Sequence, residues 1–396
     1  MSQIQGATSK RKYMPSLDGI RGYGFLLVFF LHYLPAEHLA AKGTAACRIL
    51  FGAEEIAYFA VPMFFVLSGY LIGGILYGTR NREGYFKIFY SRRVIRVFPV
   101  YYLALLMIAC GDAVLKYHPD YHFWTCFLFI QNLFPGFLVQ PNPFVVTQYW
   151  TLATEEQFYL LWPLAVWFLP QRKKLFGLAC VLIALIFGIR LLVSHLDLTP
   201  PSFIRYCSLT RADAILLGVL LSLVYKHSIF AKFKPFAKWV ALAGVSAVIL
   251  WAIWNGEDWP KSFLGSQFMI PWINFTAAAI VVLVMEEGSW LNRVCSQGWV
   301  CWFGRRSYGL YIIHLIYARV FWNRLPGYLS QHIPHVLAIV VSAAIAFSLT
   351  VLLAILCYEL IEKRFQRLKQ HLAYGPVKDI PTSTVLVEKH PVETEA

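Results

Sequence analysis

Long apolar segments alternate with short polar or basic loops along almost the whole chain. Most of these segments are long enough to cross a bilayer, for which about 20 helical residues suffice. The ten candidate spans cover residues 17–36, 55–77, 97–113, 150–169, 175–194, 211–225, 238–254, 268–285, 308–323 and 336–360. We therefore predict an all-α, polytopic membrane protein with about ten transmembrane helices.

The flanking segments divide the chain further. Residues 1–16 are polar and basic, with no separate apolar core, so we expect a cytoplasmic N-terminal segment and no cleavable signal peptide. Residues 17–364 form the predicted transmembrane domain, and we expect residues 365–396 to form a cytoplasmic tail whose composition is typical of disorder. The apolar segment 123–137 is too short to span and precedes Pro141 and Pro143, which predicts a re-entrant or surface segment.

Charge is distributed in a way that sets the expected topology. Lys and Arg concentrate in alternate loops, as in residues 80–96 and 363–369, and this bias predicts that both termini are cytoplasmic. The net charge of +14 could suggest a nucleic-acid partner, but its placement between apolar segments excludes one. A content of 58% hydrophobic and 14% charged residues also excludes a soluble domain and makes the lipid bilayer the expected partner. The eight cysteines show no metal-type spacing, so we expect no metal.

The first span carries three polar residues on one helical face. Asp18 and Arg21 are three residues apart, and His32 lies about 16 Å further along the helix than Arg21. A charged side chain near the bilayer centre costs ~2.5–3.5 kcal/mol, so such residues usually face a cavity or a partner. The alternative is an arginine that snorkels to the interface and a histidine bonded by a neighbouring helix.

A basic block occupies residues 91–102, SRRVIRVFPVYY. A helix would hold Arg92, Arg93 and Arg96 together, and the planar guanidinium suits phosphate because it donates to two oxygens at once. The alternative is an ordinary cytoplasmic cluster that contacts lipid headgroups.

Two further segments place polar residues inside the membrane. In GRRSYGLYIIH, the spacing puts Ser307, Tyr311 and His314 on one face. In YWTLATEEQFYLLWP, Glu155 and Glu156 lie just inside the predicted outer end of the fourth span, at the depth of His32. We expect Glu155 to hold one nitrogen of His32, and the other glutamate to be interfacial.

Other charged residues are interpreted as structural or peripheral. Arg211 and Asp213 could form an ion pair at the outer mouth of the sixth span, and Glu359 and Glu362 could pair with the inner basic clusters. The whole set of polar residues predicts a polar path with a basic cytoplasmic mouth, suited to an anionic donor from the cytoplasm and a hydroxyl acceptor from outside.

These motifs resemble membrane acyltransferase family 3, the group that includes bacterial O-antigen and peptidoglycan O-acetyltransferases. The resemblance runs from about residue 17 to 364. It is carried, in order, by LDGIRGYGFLLVFFLHY, MFFVLSGYLIGGIL, SRRVIRVFPVYY, YWTLATEEQFYLLWP, RADAILLG, SYGLYIIH and YELIEKRF. It implies about ten helices in the bacterial inner membrane, acyl-CoA as donor, and transfer of a short acyl group, usually acetyl, to a carbohydrate hydroxyl. Some members carry an extracytoplasmic SGNH esterase-like domain, which we do not find in this sequence.

The resemblance also implies roles for individual residues. Arg21 and His32 are required, Glu155 matters, and Arg92, Arg93 and Arg96 help to hold CoA, with Arg21 as a further ligand. In the mechanism we expect, His32 removes the proton of the acceptor hydroxyl as its oxygen attacks the thioester; a covalent acyl-histidine is a variant. The further candidates along the substrate path are Asp18, Ser68, Tyr149, Trp150, Arg211, Ser307, Tyr311 and His314.

Three other functions remain open on sequence alone. A transporter could use His32, Glu155 and Arg21 as a relay, a small molecule such as a macrolide could be the acceptor, or the chain could be a silent partner in a glycan-synthesis complex. The acceptor also remains open between lipopolysaccharide, exopolysaccharide and peptidoglycan, and the acyl group between acetyl and longer chains. We expect the outer loop 111–148 to select the acceptor.

Overall fold

A computed structural model describes residues 13–40, 44–114, 123–134, 147–196, 201–225, 227–255, 265–317 and 320–377. Within these ranges the chain is helical and forms no β-strand beyond one isolated bridge, so the predicted all-α class is confirmed. Ten helices in the described ranges have at least 12 residues: α1 (Pro15–Tyr33), α2 (Ala60–Thr79), α3 (Tyr85–Val114), α4 (Trp150–Phe168), α5 (Arg172–His195), α6 (Asp213–Val224), α7 (Ala237–Asn255), α8 (Ile270–Met285), α9 (Gly298–Ile313) and α10 (His335–Cys357).

Six helical segments among the described residues are long and apolar enough to cross a membrane: Ala45–Thr79, Tyr85–Gly111, Arg172–His195, Phe230–Trp251, Gln267–Met285 and His335–His371. These segments include α2, α3, α5, α8 and α10. The helices α1, α4 and α9, which carry most of the predicted site residues, are outside this set. The total of about ten crossings and the cytoplasmic location of both termini remain predictions.

Two helix crossings bring backbones into direct contact. At the crossing of α1 and α9, a Cβ atom on Gly304 would lie 1.7 Å from the carbonyl oxygen of Asp18. At the crossing of α2 and α6, a Cβ atom on Gly69 would lie 1.9 Å from the carbonyl oxygen of Ile215. Small residues at such positions allow the close packing on which membrane helix association depends. The first crossing fixes α1 against α9, the two helices that carry Arg21 and Ser307.

The observed helix boundaries differ from the predicted spans at two basic sites. The helix α3 begins at Tyr85 and includes the whole basic block, so Arg92, Arg93 and Arg96 lie on consecutive turns of one helix, as expected. The ninth span was predicted at 308–323, but α9 covers Gly298–Ile313. Arg306 is accommodated within this helix because its guanidinium lies 4.4 Å from the Trp302 ring and 4.7 Å from the Tyr358 ring.

A short irregular segment, residues 123–134, packs beside the start of α4. The hydroxyl of Tyr101 donates a hydrogen bond to the carbonyl oxygen of Cys126 at 2.8 Å. The side-chain amide of Gln131 donates one to the backbone carbonyl oxygen of Tyr149 at 3.0 Å. Irregular backbone at membrane depth requires such partners within the protein. The re-entrant or surface location of this segment stays a prediction, and residues 135–146 lie outside the described residues.

The C-terminal region is more ordered than predicted. After α10 the chain continues through a π-helical turn, the helix Lys363–Leu368 and the 3₁₀ turn Lys369–His371. Residues 372–377, the C-terminal strap, then lie against the α2–α3 loop. There the backbone N–H of Glu83 donates a hydrogen bond to the carbonyl oxygen of Pro376 at 3.1 Å, and the backbone N–H of Gly375 donates one to the carbonyl oxygen of Glu83 at 3.2 Å. These backbone bonds order the first part of the predicted tail, whereas 378–396 lie outside the described residues.

Candidate active site

A cavity of about 220 Å³ opens between α1, α2, α3, α4 and α9. One wall is apolar and comes largely from α2, including Phe64, Phe65 and Leu71. The other walls are polar. Their lining residues are Arg21, Ser68, Arg93, Arg96, Thr151, Glu155, Glu156, Tyr159, Ser307, Tyr308 and Tyr311. Seven of the predicted site residues therefore line one cavity, although they come from five different helices.

The basic part of the cavity comes from α1 and α3. Arg93 and Arg96 are three residues apart on α3 and point to the same side as Arg21. The Arg93 guanidinium lies 4.7 Å from the ring centroid of Tyr159, which stabilises the charge but uses no N–H group. Among the described residues, neither Arg93 nor Arg96 has a side-chain hydrogen bond or ion pair. Their donor groups are therefore available to an anion.

The acidic part of the cavity comes from α4. Oε1 of Glu155 accepts a hydrogen bond from the hydroxyl of Ser68 at 2.5 Å, and Ser68 in turn accepts one from the hydroxyl of Tyr159 at 3.0 Å. Glu155 and Tyr159 are one turn apart on α4 and face α2 together. The carboxylate is also within electrostatic reach of Arg93 and Arg21, so it partly neutralises the basic part of the cavity.

The structure corrects the predicted pairing of Glu155 with His32. Glu155 lies in the cavity with Arg21, whereas His32 is eleven residues further along α1 and outside the cavity lining. The prediction assumed that α4 begins at the outer surface. Instead, the start of α4 is covered by the irregular segment 123–134, and Glu155 lies within electrostatic reach of Arg93, Arg21 and Arg96. Glu156 also lines the cavity, rather than lying at the interface.

The two predicted intramembrane histidines form a pair at the other end of α1. The ring centroids of His32 and His314 are 5.3 Å apart. Nδ1 of His32 lies 2.7 Å from the carbonyl oxygen of Val28, and Nδ1 of His314 lies 2.6 Å from that of Tyr311. Because a carbonyl oxygen only accepts, each neutral ring carries its proton on Nδ1 and leaves Nε2 as a base.

His314 is fully buried at 0% exposure, and its Nε2 has no hydrogen-bond partner among the described residues. It stacks edge-on against Phe25, and Tyr33 donates a hydrogen bond to its backbone carbonyl. An unpaired buried acceptor is costly, which is typical of a functional position.

Tyr311 connects the cavity to the histidine pair. Its hydroxyl lines the cavity, donates to the backbone carbonyl of Gln148 at 2.9 Å and lies 2.9 Å from Oγ1 of Thr151. Its own backbone carbonyl accepts from His314. The basic cavity and the imidazoles are therefore joined through one residue of α9.

Four other predicted site residues have mainly structural contacts. Asp18 accepts a hydrogen bond from Tyr13 at 2.6 Å and lies 3.6 Å from Arg21. The buried hydroxyl of Tyr149 donates to the carbonyl oxygen of Ile312 at 3.0 Å. The guanidinium of Arg211 lies over the ring of Trp150, with 5.5 Å between the guanidinium carbon and the ring centroid. None of these four residues lines the cavity.

The expected ion pair between Arg211 and Asp213 is wrong, because Asp213 pairs with a different arginine. Asp213 pairs with Arg190 of α5, with Nη2 and Oδ2 2.7 Å apart, and Nη1 of Arg190 donates to the carbonyl oxygen of Thr210 at 3.0 Å. Both side chains are almost fully buried, at 1% and 4% exposure. The packing of α5 against α6 determines this pair, and spacing along the chain does not reveal it.

The glutamates near the inner end of α10 differ from each other. Glu359 forms the expected local ion pair, 2.7 Å from Lys363. Glu362 is buried at 7% exposure, and its Oε1 has no hydrogen-bond partner among the described residues. Arg96, Lys369 and Arg306 are the cations that act on it.

Sequence reasoning missed Thr151, Tyr159 and Tyr308 as cavity residues. Thr151 and Tyr159 are each four residues from Glu155, so helical spacing alone could have identified them. Tyr308 donates to the backbone carbonyl of Val97 at 2.6 Å, a contact between α9 and α3 that has no signal in the sequence.

Comparison with known proteins places these features in a family. A family model described as an acyltransferase domain matches residues 14–359. The chain is 27% identical over 334 residues to YrhL of Bacillus subtilis, covering 78% of this chain and 49% of that protein. It is 27% identical over 328 residues to the peptidoglycan O-acetyltransferase OatA of Listeria monocytogenes, covering 77% and 49%. No solved structure matches.

A third relative is the O-acetyltransferase OatA of Staphylococcus aureus, 27% identical over 330 residues, covering 76% of this chain and 50% of that protein. The chain thus spans about half the length of these curated relatives. The matched residues 14–359 include all ten major helices and every residue of the cavity. The chain therefore belongs to membrane acyltransferase family 3.

Proposed function

We propose that this chain transfers a short acyl group, most simply acetyl, from cytoplasmic acyl-CoA to a carbohydrate hydroxyl on the extracytoplasmic side. One observation carries the proposal. The cavity is lined by Arg93 and Arg96, whose side chains form no hydrogen bond or ion pair among the described residues, and by Tyr311, whose backbone carbonyl contacts one of two paired imidazoles, His314. Anion binding and proton transfer are the two chemistries that acyl transfer from a phosphorylated donor requires.

The donor would bind at the basic end of the cavity. Arg93, Arg96 and Arg21 would contact the phosphates of CoA, since guanidinium groups donate to two phosphate oxygens at once. Glu155 and Glu156 would balance the arginines when the donor is absent. The pantetheine arm, which is uncharged, would extend along the apolar wall of α2 towards Tyr311.

The chemistry would take place at the histidine pair. Nε2 of His32 takes the proton of the acceptor hydroxyl as the oxygen attacks the thioester carbonyl. The tetrahedral intermediate then collapses, the C–S bond breaks, and the CoA thiolate leaves and is reprotonated. In the covalent variant, Nε2 attacks first and the hydroxyl attacks the resulting acyl-histidine. We assign Tyr311 and Ser307 to positioning, because the Tyr311 hydroxyl already donates to Gln148.

The acceptor we favour is a glycan of the cell surface, because two relatives are named as O-acetyltransferases and one of them as acting on peptidoglycan. A lipopolysaccharide, an exopolysaccharide or a small molecule such as a macrolide has the same kind of hydroxyl. A transporter is the rival function, with His32, Glu155 and Arg21 as a relay. Its case is weaker because Glu155 and His32 do not contact each other.

The test uses inverted membrane vesicles that are formed in the presence of a glycan fraction, so that they enclose it, and are then supplied with labelled acetyl-CoA from outside. The readout is label in alkali-labile ester on glycan. Wild type should transfer label, and His32→Ala should lose about 100-fold or more of the rate, the range for a general base, while still binding acetyl-CoA. The matched control is His195→Ala at the exposed end of α5, which should behave as wild type. Transfer by His32→Ala at the wild-type rate would refute the assignment, and label that does not depend on acetyl-CoA would favour the transporter.

A further inference from the structure

The C-terminal strap is bound to the basic helix beside the cavity. The guanidinium of Arg92 donates to the carbonyl oxygen of Leu372 through Nε at 2.9 Å and also through Nη2. The same guanidinium faces the ring of Tyr374, with 5.4 Å to its centroid, and the backbone of Glu83 pairs with the strap. Burial raises the pKa of the Tyr374 phenol. Arg92 is therefore occupied by the chain itself and does not line the cavity.

This anchor places a lysine next to the arginines of the cavity. Lys369 lies three residues before Leu372, in the turn Lys369–His371, and is half-buried. The charges that act on it are those of Arg96, Arg93, Glu362 and Arg92. Within the described residues, the side chain of Lys369 forms no hydrogen bond and no ion pair.

This arrangement is electrostatically unfavourable unless an anion is present. Like charges repel more strongly where burial limits screening by water. Three arginine charges act on Lys369 against the negative charge of Glu362, while Glu155 and Glu156 act on Arg93 and Arg96 from the other side. A polyanion that bridges these side chains would remove the repulsion and satisfy the donor groups that lack partners.

We propose that Lys369 is a further phosphate-binding residue of the donor site, and that the C-terminal strap, held by Arg92, positions it. Lys369, Arg93 and Arg96 then contact the phosphates of a CoA-type nucleotide, while Arg92 acts as a positioning residue through the strap. The inference rests on the proposed function, because it assumes a phosphorylated donor at this mouth of the cavity.

The experiment measures CoA binding to the purified full-length chain in nanodiscs, by calorimetry, at low and at physiological salt. Lys369→Gln should weaken CoA binding about tenfold and reduce its dependence on salt, as for the loss of one hydrogen bond to a charged group. Pantetheine, which lacks the phosphates, should bind equally to both proteins. The matched control is Lys363→Gln, which removes an equal charge paired with Glu359 in the preceding helix and should leave CoA binding within about twofold.

A second variant tests the strap. Truncation after His371 removes both contacts of Arg92, so it should weaken CoA binding about as much as Lys369→Gln does, and the combined variant should show little further loss. Equal CoA binding by wild type and Lys369→Gln would overturn this inference and leave the proposed function intact. A wild-type chain that does not bind CoA would overturn both.

Discussion

The hydrogen bond from Ser68 to Glu155 provides a quantitative test of the cavity. Within the described residues it is the only hydrogen bond to that carboxylate, and its length is 2.5 Å. A hydrogen bond to a charged group contributes about 1.5–3 kcal/mol. Ser68→Ala removes it, and also removes the acceptor of the Tyr159 hydroxyl. If the position of Glu155 governs the reaction, transfer should slow by roughly 10–150-fold.

The assay is the initial rate of acetyl transfer in vesicles with matched amounts of protein. Glu155→Gln and the double variant complete a thermodynamic cycle. We expect the effect of Ser68→Ala to shrink greatly in the Glu155→Gln background. Ser348→Ala, which removes a hydroxyl bonded only within α10, is the control and should retain full activity. Full activity of Ser68→Ala, or an equal loss in both backgrounds, would show that the bond does not serve Glu155.

Two further predictions concern stability. Gly304→Ala places a Cβ atom 1.7 Å from the carbonyl oxygen of Asp18, so α1 and α9 must separate. We expect the Tm in detergent to fall and acyl transfer to be lost. The control is Gly298→Ala, which has open space around it and should change neither the Tm nor the rate of transfer. Asp213→Asn leaves the buried Arg190 without its carboxylate and should destabilise the chain by about 3–5 kcal/mol, seen as a large drop in Tm. Replacing Asp213 with Leu and Arg190 with Met in the same chain should recover most of that loss. An unchanged Tm in Asp213→Asn would show that this ion pair does not stabilise the chain.

Contacts within one helix could be predicted from the sequence because helix geometry determines them. Arg93 with Arg96, and Ser307 with Tyr311, share a face at spacings of three and four, and both pairs line the cavity. Contacts between helices could not be predicted in this way. Asp213 lies two residues from Arg211 but pairs with Arg190, because the packing of α5 on α6, and not the spacing along the chain, brings those groups together.

The position at which a helix starts within the protein was the second source of error. Hydropathy suggests where a span starts, but a helix can begin inside the protein when an irregular segment covers it. The start of α4 does so, and Glu155 therefore lies with Arg21 instead of His32. Similarly, Arg306 lies before the predicted span 308–323, yet it is part of α9, where its guanidinium faces the rings of Trp302 and Tyr358.

The helix α1 is continuous from Pro15 to Tyr33, so Arg21 and His32 are held about 16 Å apart by a stiff spacer. Under the proposed function, this separates the place where the nucleotide is recognised from the place where the bond is made. Binding energy from the phosphates can then assist the reaction only through the covalent arm of the donor. A compact acyl donor such as acetyl phosphate would bind its phosphate at one end and leave its carbonyl out of reach of the base. Donor selection would thus depend on length as well as on charge.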